Sequence, residues 1–265
     1  MPKVVQQVLA SFGRDDVAVA DIAPQLAAEP VLAAKTLRLA NSAYFRVSRR
    51  IASVDDALQM LGFAMVRNLV AGCSMTAAFK GLQGVDLPAF WQHSLHTAVA
   101  ARWLAPQAGQ SGDVAFVIGL MHGLGHLVMH AAAPDGLAAL DARVPLLSPQ
   151  RAAAERAALG YDHAEVGAEL ARQWQFPAEL SAPLACVPAP GGEAMAALIH
   201  LAAWRARVEE AAEVEADPPQ AVAASLGLTL TWDGQARTLT VASGGRSQTM
   251  PPLAELSEGL EAMLG

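Results

Sequence analysis

Cysteine is almost absent from this chain: Cys73 and Cys186 are its only two, far apart and in no CxxC arrangement. That excludes a disulfide framework and points to a reducing compartment, with both residues read as small buried hydrophobes. No secretory leader is expected either, because Met1-Pro2-Lys3 runs straight into a mixed amphipathic segment; the expected location is cytoplasmic. The most apolar stretch, Ala64 to Phe79, is interrupted by Arg67 and Asn68, which favours a buried helix over a membrane span. A net charge of -7 and a pI near 5.5 leave no basic face of the kind a general nucleic-acid binder needs. Walker, Rossmann and GxSxG signatures are all lacking, and the glycines from Gly119 to Gly125 read as close helix packing.

What is present is apolar and helical. With 265 residues, 53% hydrophobic content and a mean hydropathy of +0.29, the chain can bury one large core or two smaller ones sharing an interface. Helical spacing recurs through Val4, Val5, Val8, Leu9 and Phe12, then Ile22, Leu26, Leu32, Leu37 and Leu39. Ser53-Val54-Asp55-Asp56 has the form of a capping box, and Gly62 separates its helix from the run Phe63 to Phe79. Asn41 reads as a helix C-cap. Gly81 to Pro88 marks a boundary between two helical lobes, 1–82 and 83–212. Beyond it, helices are predicted from Pro88 through Trp103, from Asp113 to His130, and over 150–159, 162–174, 177–186 and 192–211. Arg207 to Asp217, with Glu209, Glu210, Glu213, Glu215 and Asp217, reads as a solvated helix end and acidic connector, and the tail, 213–265, changes character: a β-hairpin turning at Asp233-Gly234 as a type I′ turn, a plain turn at Gly244-Gly245, and a short terminal helix from Leu253 to Leu264. Two strands cannot bury an apolar face alone, so Leu228, Leu230, Trp232, Leu239 and Val241 should pack on the body or on another chain.

Several motifs, in order, resemble one family. Glu29 to Phe45 (EPVLAAKTLRLANSAYF) looks like the signature of the HDOD domain, the HD-related output domain of bacterial signalling, and Ile51 to Gly62, Phe90-Trp91-Gln92-His93-Ser94, Phe116 to Leu127, Tyr161 to Gly167 and Trp174-Gln175-Phe176-Pro177 extend the likeness over roughly residues 1 to 210. The resemblance implies an all-α, two-lobed HD-like helical fold, here followed by the hairpin and terminal helix, and a regulatory role.

Matched to the active HD enzymes, the first histidine falls on His93, the His-Asp pair on His122 and Gly123, a later histidine on His163, and the last aspartate on Ala203. Both carboxylates are missing. Where HD-GYP-like members show paired histidines this chain reads Cys186-Val187-Pro188. A hard divalent ion needs carboxylate oxygens, and no bridging ligand or aspartate base is left. The cleft reads as vestigial, with no cofactor and no bound metal; if a metal were held at all, the ligands would be His93, His122 and His163, since three imidazoles suffice for zinc. His126 and His130 share a helical face with His122 only if Gly123 and Gly125 do not break the helix. A second cluster, Arg46, Arg49 and Arg50 beside Lys35 and Arg38, could contact an anion or a partner's carboxylates, although Asp55 and Asp56 follow at once and favour a locally paired loop.

The expectation is a non-catalytic signal-transduction module that binds a signalling protein in trans, with a small ligand able to sit in the vestigial cleft and self-association through the hairpin as a further contact. A residual His-ligated, metal-dependent phosphohydrolase is the alternative, and a nucleic-acid-binding regulator a third.

Overall fold

The computed structural model describes residues 23, 24, 26–42, 45, 50–82, 84–211 and 217–264. Helix α1 (Pro30–Ala40) starts on a proline in its first turn, where the missing N–H costs nothing, and buries Leu32 and Leu39. Its C-cap, Asn41, is not left-handed (φ −93°). Its amide instead ties two segments together, donating to Leu37 O and Ile51 O and accepting from Ile51 N, each at 2.8 Å. Helix α2 (Val54–Ala78) is capped by Ser53, whose side chain accepts from Asp56 N, and is kinked at Gly62, where φ is +73°.

The second lobe is built around α3 (Leu87–Leu104), capped by Asp86. A short 3-10 turn leads to α4 (Gly112–Met121), capped by Ser111, and then to α5 (Leu124–Ala132). The continuous helix expected from Asp113 to His130 is therefore broken at His122-Gly123. Two glycines let helices meet closely here. A Cβ on Gly119 would lie 2.8 Å from Ala98 Cα, and one on Gly125 only 1.8 Å from His163 O. Around this pair run α6 (Pro134–Asp141), α7 (Arg151–Leu159), α8 (His163–Gln173), α9 (Ala178–Leu184) and α10 (Ala194–Glu210). Asp162 and Glu165 form a reciprocal capping box on α8. The stretches Val54–Ala78 and Gly112–Ala132 are apolar enough to resemble membrane spans, but most of each is buried inside the protein, as core helices are.

The tail corrects the predicted hairpin. After α11 (Gln220–Ser225) come three antiparallel strands, β1 (Thr229–Asp233), β2 (Thr238–Ser243) and β3 (Arg246–Met250), in that spatial order. Strand β3 escaped the sequence reading because only Met250 in it is buried, so no alternation shows. The β1–β2 connection is not a two-residue turn: Asp233 pairs with Thr238, the Asp233 carboxylate accepts from Gln235 N and Ala236 N, and Arg237 carries the positive φ. The tight turn is Gly244-Gly245, with both φ values positive between the paired Ser243 and Arg246, the backbone demand of a type I′ turn. The terminal helix is reduced to α12 (Leu253–Ser257) and a 3-10 turn (Leu260–Met263). Leu228, Leu230, Leu239, Val241 and Met250 belong to the same hydrophobic core as the helices, so the body buries the face that two strands could not. Trp232 meets Trp204 edge-on, with centroids 5.9 Å apart, and lies 4.9 Å from the buried guanidinium of Arg205.

Candidate functional site

Helices α3, α5, α8 and α10 converge on a cavity of about 70 Å³. His93, His122, Gly123, His163 and Ala203, the five positions assigned to the vestigial cleft, all line it, together with His126, His200 and Arg207. His93, His122 and His200 have their Nδ1 atoms committed to the fold: His93 to Glu210 Oε2 at 2.7 Å, His122 to Gly119 O at 2.6 Å and His200 to Val187 O at 2.9 Å. A carbonyl can only accept, so His122 and His200 carry the proton on Nδ1 and, when neutral, hold a lone pair on Nε2. His122 is held neutral: burial first, then the neighbouring His93, pushes its pKa down to about 3. Burial also lowers that of His200.

Glu210 overturns the reading of the acidic connector as wholly solvated. It turns inward and bridges His93 and His96, accepting from His96 Nδ1 at 2.8 Å. Burial alone would raise its pKa, but the two imidazole hydrogen bonds outweigh this and bring it to about 2. Glu209 pairs with Arg205 at 2.7 Å.

Beside His126 and His163 stands Glu155, a wholly buried carboxylate that no motif announced. Its Oε2 accepts from the backbone N–H and the Nδ1 of His163 at 2.9 and 2.7 Å, and its Oε1 from Arg151 Nε at 2.8 Å. His126 Nδ1 approaches Oε1 at 3.2 Å without the alignment of a hydrogen bond. Burial would raise the Glu155 pKa, but the two histidines hold it well below the carboxylate range. The network runs on through Arg151 and Asp141, 2.8 Å apart, to His130, whose Nε2 lies 2.9 Å from Asp141 and whose Nδ1 donates to His126 O. His130 thus serves the scaffold rather than the cavity.

His93, His122 and His163 share the cavity but do not converge on one point. Among the described residues, the histidines, cysteines and carboxylates whose ligand atoms all lie within 4.8 Å of one another are His126, Glu155 and His163. That group adjoins the Arg151 guanidinium. At the position of the HD aspartate, a Cβ on Gly123 would lie 3.0 Å from the edge of the Phe90 ring, so any side chain there requires the ring to give by a few tenths of an ångström. The donor set does not fit a hard divalent ion. It lacks both first-coordination carboxylates and contains an arginine.

Arg46 and Arg49 lie outside the described residues. Arg50 joins Arg38, Leu37 and Asn41 around a separate, open hollow. The sequence reading missed Arg207, Glu210 and Glu155. The first two were reachable, because Ala203, Arg207 and Glu210 recur at helical spacing along one face of α10; Arg151 and Glu155 carried the weaker signal of an i,i+4 pair.

The model of the HDOD domain matches residues 1–190. The chain belongs to the HDOD family. An uncharacterized protein of Treponema pallidum is 26% identical over 181 residues, 67% of this chain but 35% of that protein, so the match spans about a third of the relative's length. A crystal structure of a candidate phosphohydrolase from Shewanella amazonensis is similar over 100% of this chain and 94% of its own, with 25% identity and a TM-score of 0.71. The HDOD domain protein of unknown function from Geobacter sulfurreducens (24%, TM-score 0.69, 86% of this chain and 78% of its own) shares the fold. A candidate signal transduction protein from Marinobacter aquaeolei has 25% identity and a TM-score of 0.68 over 86% of this chain and 53% of its own. The all-α HD-like fold expected from the motifs is the fold observed, and the likeness to the Shewanella protein runs through the tail that the HDOD model does not reach.

Proposed function

We propose that this HDOD protein is a non-catalytic signal-transduction module of the cytoplasm, acting through contacts with a signalling protein in trans and retaining its HD cleft as a small ligand pocket. The observation that carries this reading is the Phe90 ring packed against Gly123. The charge of the metal-binding aspartate is gone and a side chain in its place would press on the Phe90 ring, so no hydroxide nucleophile is generated in the way HD hydrolysis requires. A bland remnant would not need so many oriented imidazoles, and the buried histidine-carboxylate pairs favour a pocket kept rigid for recognition. The test is turnover of phosphomonoesters, phosphodiesters and nucleotides with Mg, Mn, Fe or Zn added, against a His122→Ala control. The expected result is no difference between the two proteins and less than stoichiometric metal in the native one. A metal-dependent rate abolished by that change would establish the hydrolase instead.

One observation favours that second reading, a residual His-ligated phosphohydrolase: the convergence of His126, Glu155 and His163. Against it, the Glu155 oxygens are already engaged by Arg151 and His163, so an entering cation would displace a buried ion pair.

A further inference from the structure

Arg207 lies four residues beyond Ala203 on α10 and lines the same cavity as His93, His122 and His200. Two buried arginines nearby are answered by carboxylates within the fold: Arg151 by Glu155 and Asp141, Arg205 by Glu209. Arg207 is half-buried and makes neither a hydrogen bond nor an ion pair among the described residues; the carboxylate whose charge reaches it is that of Glu210. Glu210, one turn further on, has both oxygens taken by His93 and His96. With its nearest carboxylate shared between two imidazoles, the Arg207 guanidinium keeps its N–H donors available to an anion in the cavity.

We propose that the cleft is a metal-independent oxyanion site for a phosphate group, with Arg207 supplying the positive charge that a metal supplies in HD enzymes. The proposal deepens the non-catalytic reading of the same cleft and rests on it. The guanidinium suits an oxyanion, and the imidazoles select phosphate among oxyanions. A guanidinium presents a planar fork that matches two phosphate oxygens. The Nε2 lone pairs of His122 and His200, fixed by Nδ1 donation to Gly119 O and Val187 O, need a donor. A phosphate that keeps one P–OH proton offers anionic oxygens to Arg207 and that proton to an imidazole, whereas sulfate has no proton to give. The cavity, about 70 Å³, suits a tetrahedral oxyanion and is small beside the roughly 300–1,000 Å³ of pockets for drug-sized ligands, so any nucleoside or peptide attached to the phosphate stays outside.

The experiment is calorimetric and thermal-shift titration of the full chain, in EDTA, with inorganic phosphate, glycerol phosphate and sulfate. Phosphate should bind and raise the melting temperature, sulfate should bind at least about ten-fold more weakly, and Arg207→Gln should abolish the phosphate response while Arg207→Lys retains part of it. Glycerol phosphate separates the two sources: binding as tight as that of phosphate identifies a phosphomonoester headgroup, and no binding identifies free phosphate. Either outcome carries the proposal. Because Arg207→Gln could fail to fold, modification of the native protein by phenylglyoxal, mapped by mass spectrometry, provides an independent reading, with Arg207 protected by phosphate and not by sulfate. Absence of phosphate binding, an undiminished response in folded Arg207→Gln, equal binding of sulfate, or binding that requires added Mn or Zn overturns the inference. Turnover with metal would sink the non-catalytic reading, while phosphate binding in EDTA is read separately, so the two can fail independently.

Discussion

The imidazole rings of His126 and His163 lie face to face, their centroids 3.7 Å apart and their planes 22° from parallel, beside the Glu155 carboxylate. Backbone causes this. Gly125 lets α5 approach the first turn of α8 so closely that a methyl group would overlap His163 O, and the residue after Gly125 then has to stack on His163. Two imidazolium ions could not share that spacing, and burial followed by the proximity of His163 holds the His126 pKa far below its usual value.

Gly125→Ala should be among the most damaging single changes in the protein. With the Cβ position 1.8 Å from His163 O and 2.7 Å from its carbonyl carbon, the helices must separate, and a loss above about 4 kcal/mol is expected. Soluble yield and urea denaturation followed by circular dichroism give the answer; wild-type stability would show that the crossing is looser than described.

Glu155→Gln removes the charge that answers buried Arg151 and orients His163. Breaking one side of a buried pair costs about 3–5 kcal/mol, so the urea midpoint should fall markedly. A double change of Arg151→Met with Glu155→Gln should recover part of the loss, because the buried guanidinium, left with Asp141 as its one carboxylate, is then gone. A double variant no more stable than Glu155→Gln would assign the cost to the histidine contacts instead.

Gly123→Asp should not restore metal binding. Its side chain meets the Phe90 ring, and overpacking of this kind costs about 1–3 kcal/mol. Adding Phe90→Ala to Gly123→Asp should relieve the strain without yielding stoichiometric Mn or Fe by elemental analysis, since Ala203 still lacks the second carboxylate. Stoichiometric metal in Gly123→Asp alone would contradict the steric argument.

Stability should decline as pH falls from neutrality. The unfolded chain protonates His122 near pH 6.5, whereas the folded protein resists until about 3, so the unfolded state binds more protons in between and gains on the native one by up to about 1.4 kcal/mol per pH unit. Glu210 acts lower down: its contribution is complete above the unfolded pKa of 4.5 and is lost as pH falls toward about 2. Denaturation midpoints from pH 8 to 3 should thus be flat, then fall, and His122→Gln should flatten the segment between about 6.5 and 4.5. An unchanged slope would remove His122 as its source.

Deleting residues 218–265 should uncover the core rather than an independent module. Leu230, Leu239, Val241 and Leu253 pack with the helices, and Trp232 covers Arg205. Lower melting temperature and increased light scattering are expected; a truncated chain that melts like the full one would show the tail to be a loosely appended segment.

Local rules determined much of this protein from its sequence. Capping residues Ser53, Asp86, Ser111 and Asp162 start their helices because a side-chain oxygen must satisfy orphan N–H groups, Gly62 interrupts α2, and His93, His122, Gly123, His163 and Ala203 meet in one cleft, as their motif positions imply. Tertiary structure decided what depends on distance across the fold. Whether Glu210 was solvated or clamped between His93 and His96 turned on how α10 lies against α3. Glu155 became a site residue only when α7 packed behind His126 and His163, and β3 became a strand through backbone pairing that its polar side chains do not advertise. Periodicity reports which face of an element is apolar, but a buried charge is stable only beside its partner, and that partner is chosen by packing between segments far apart in the chain.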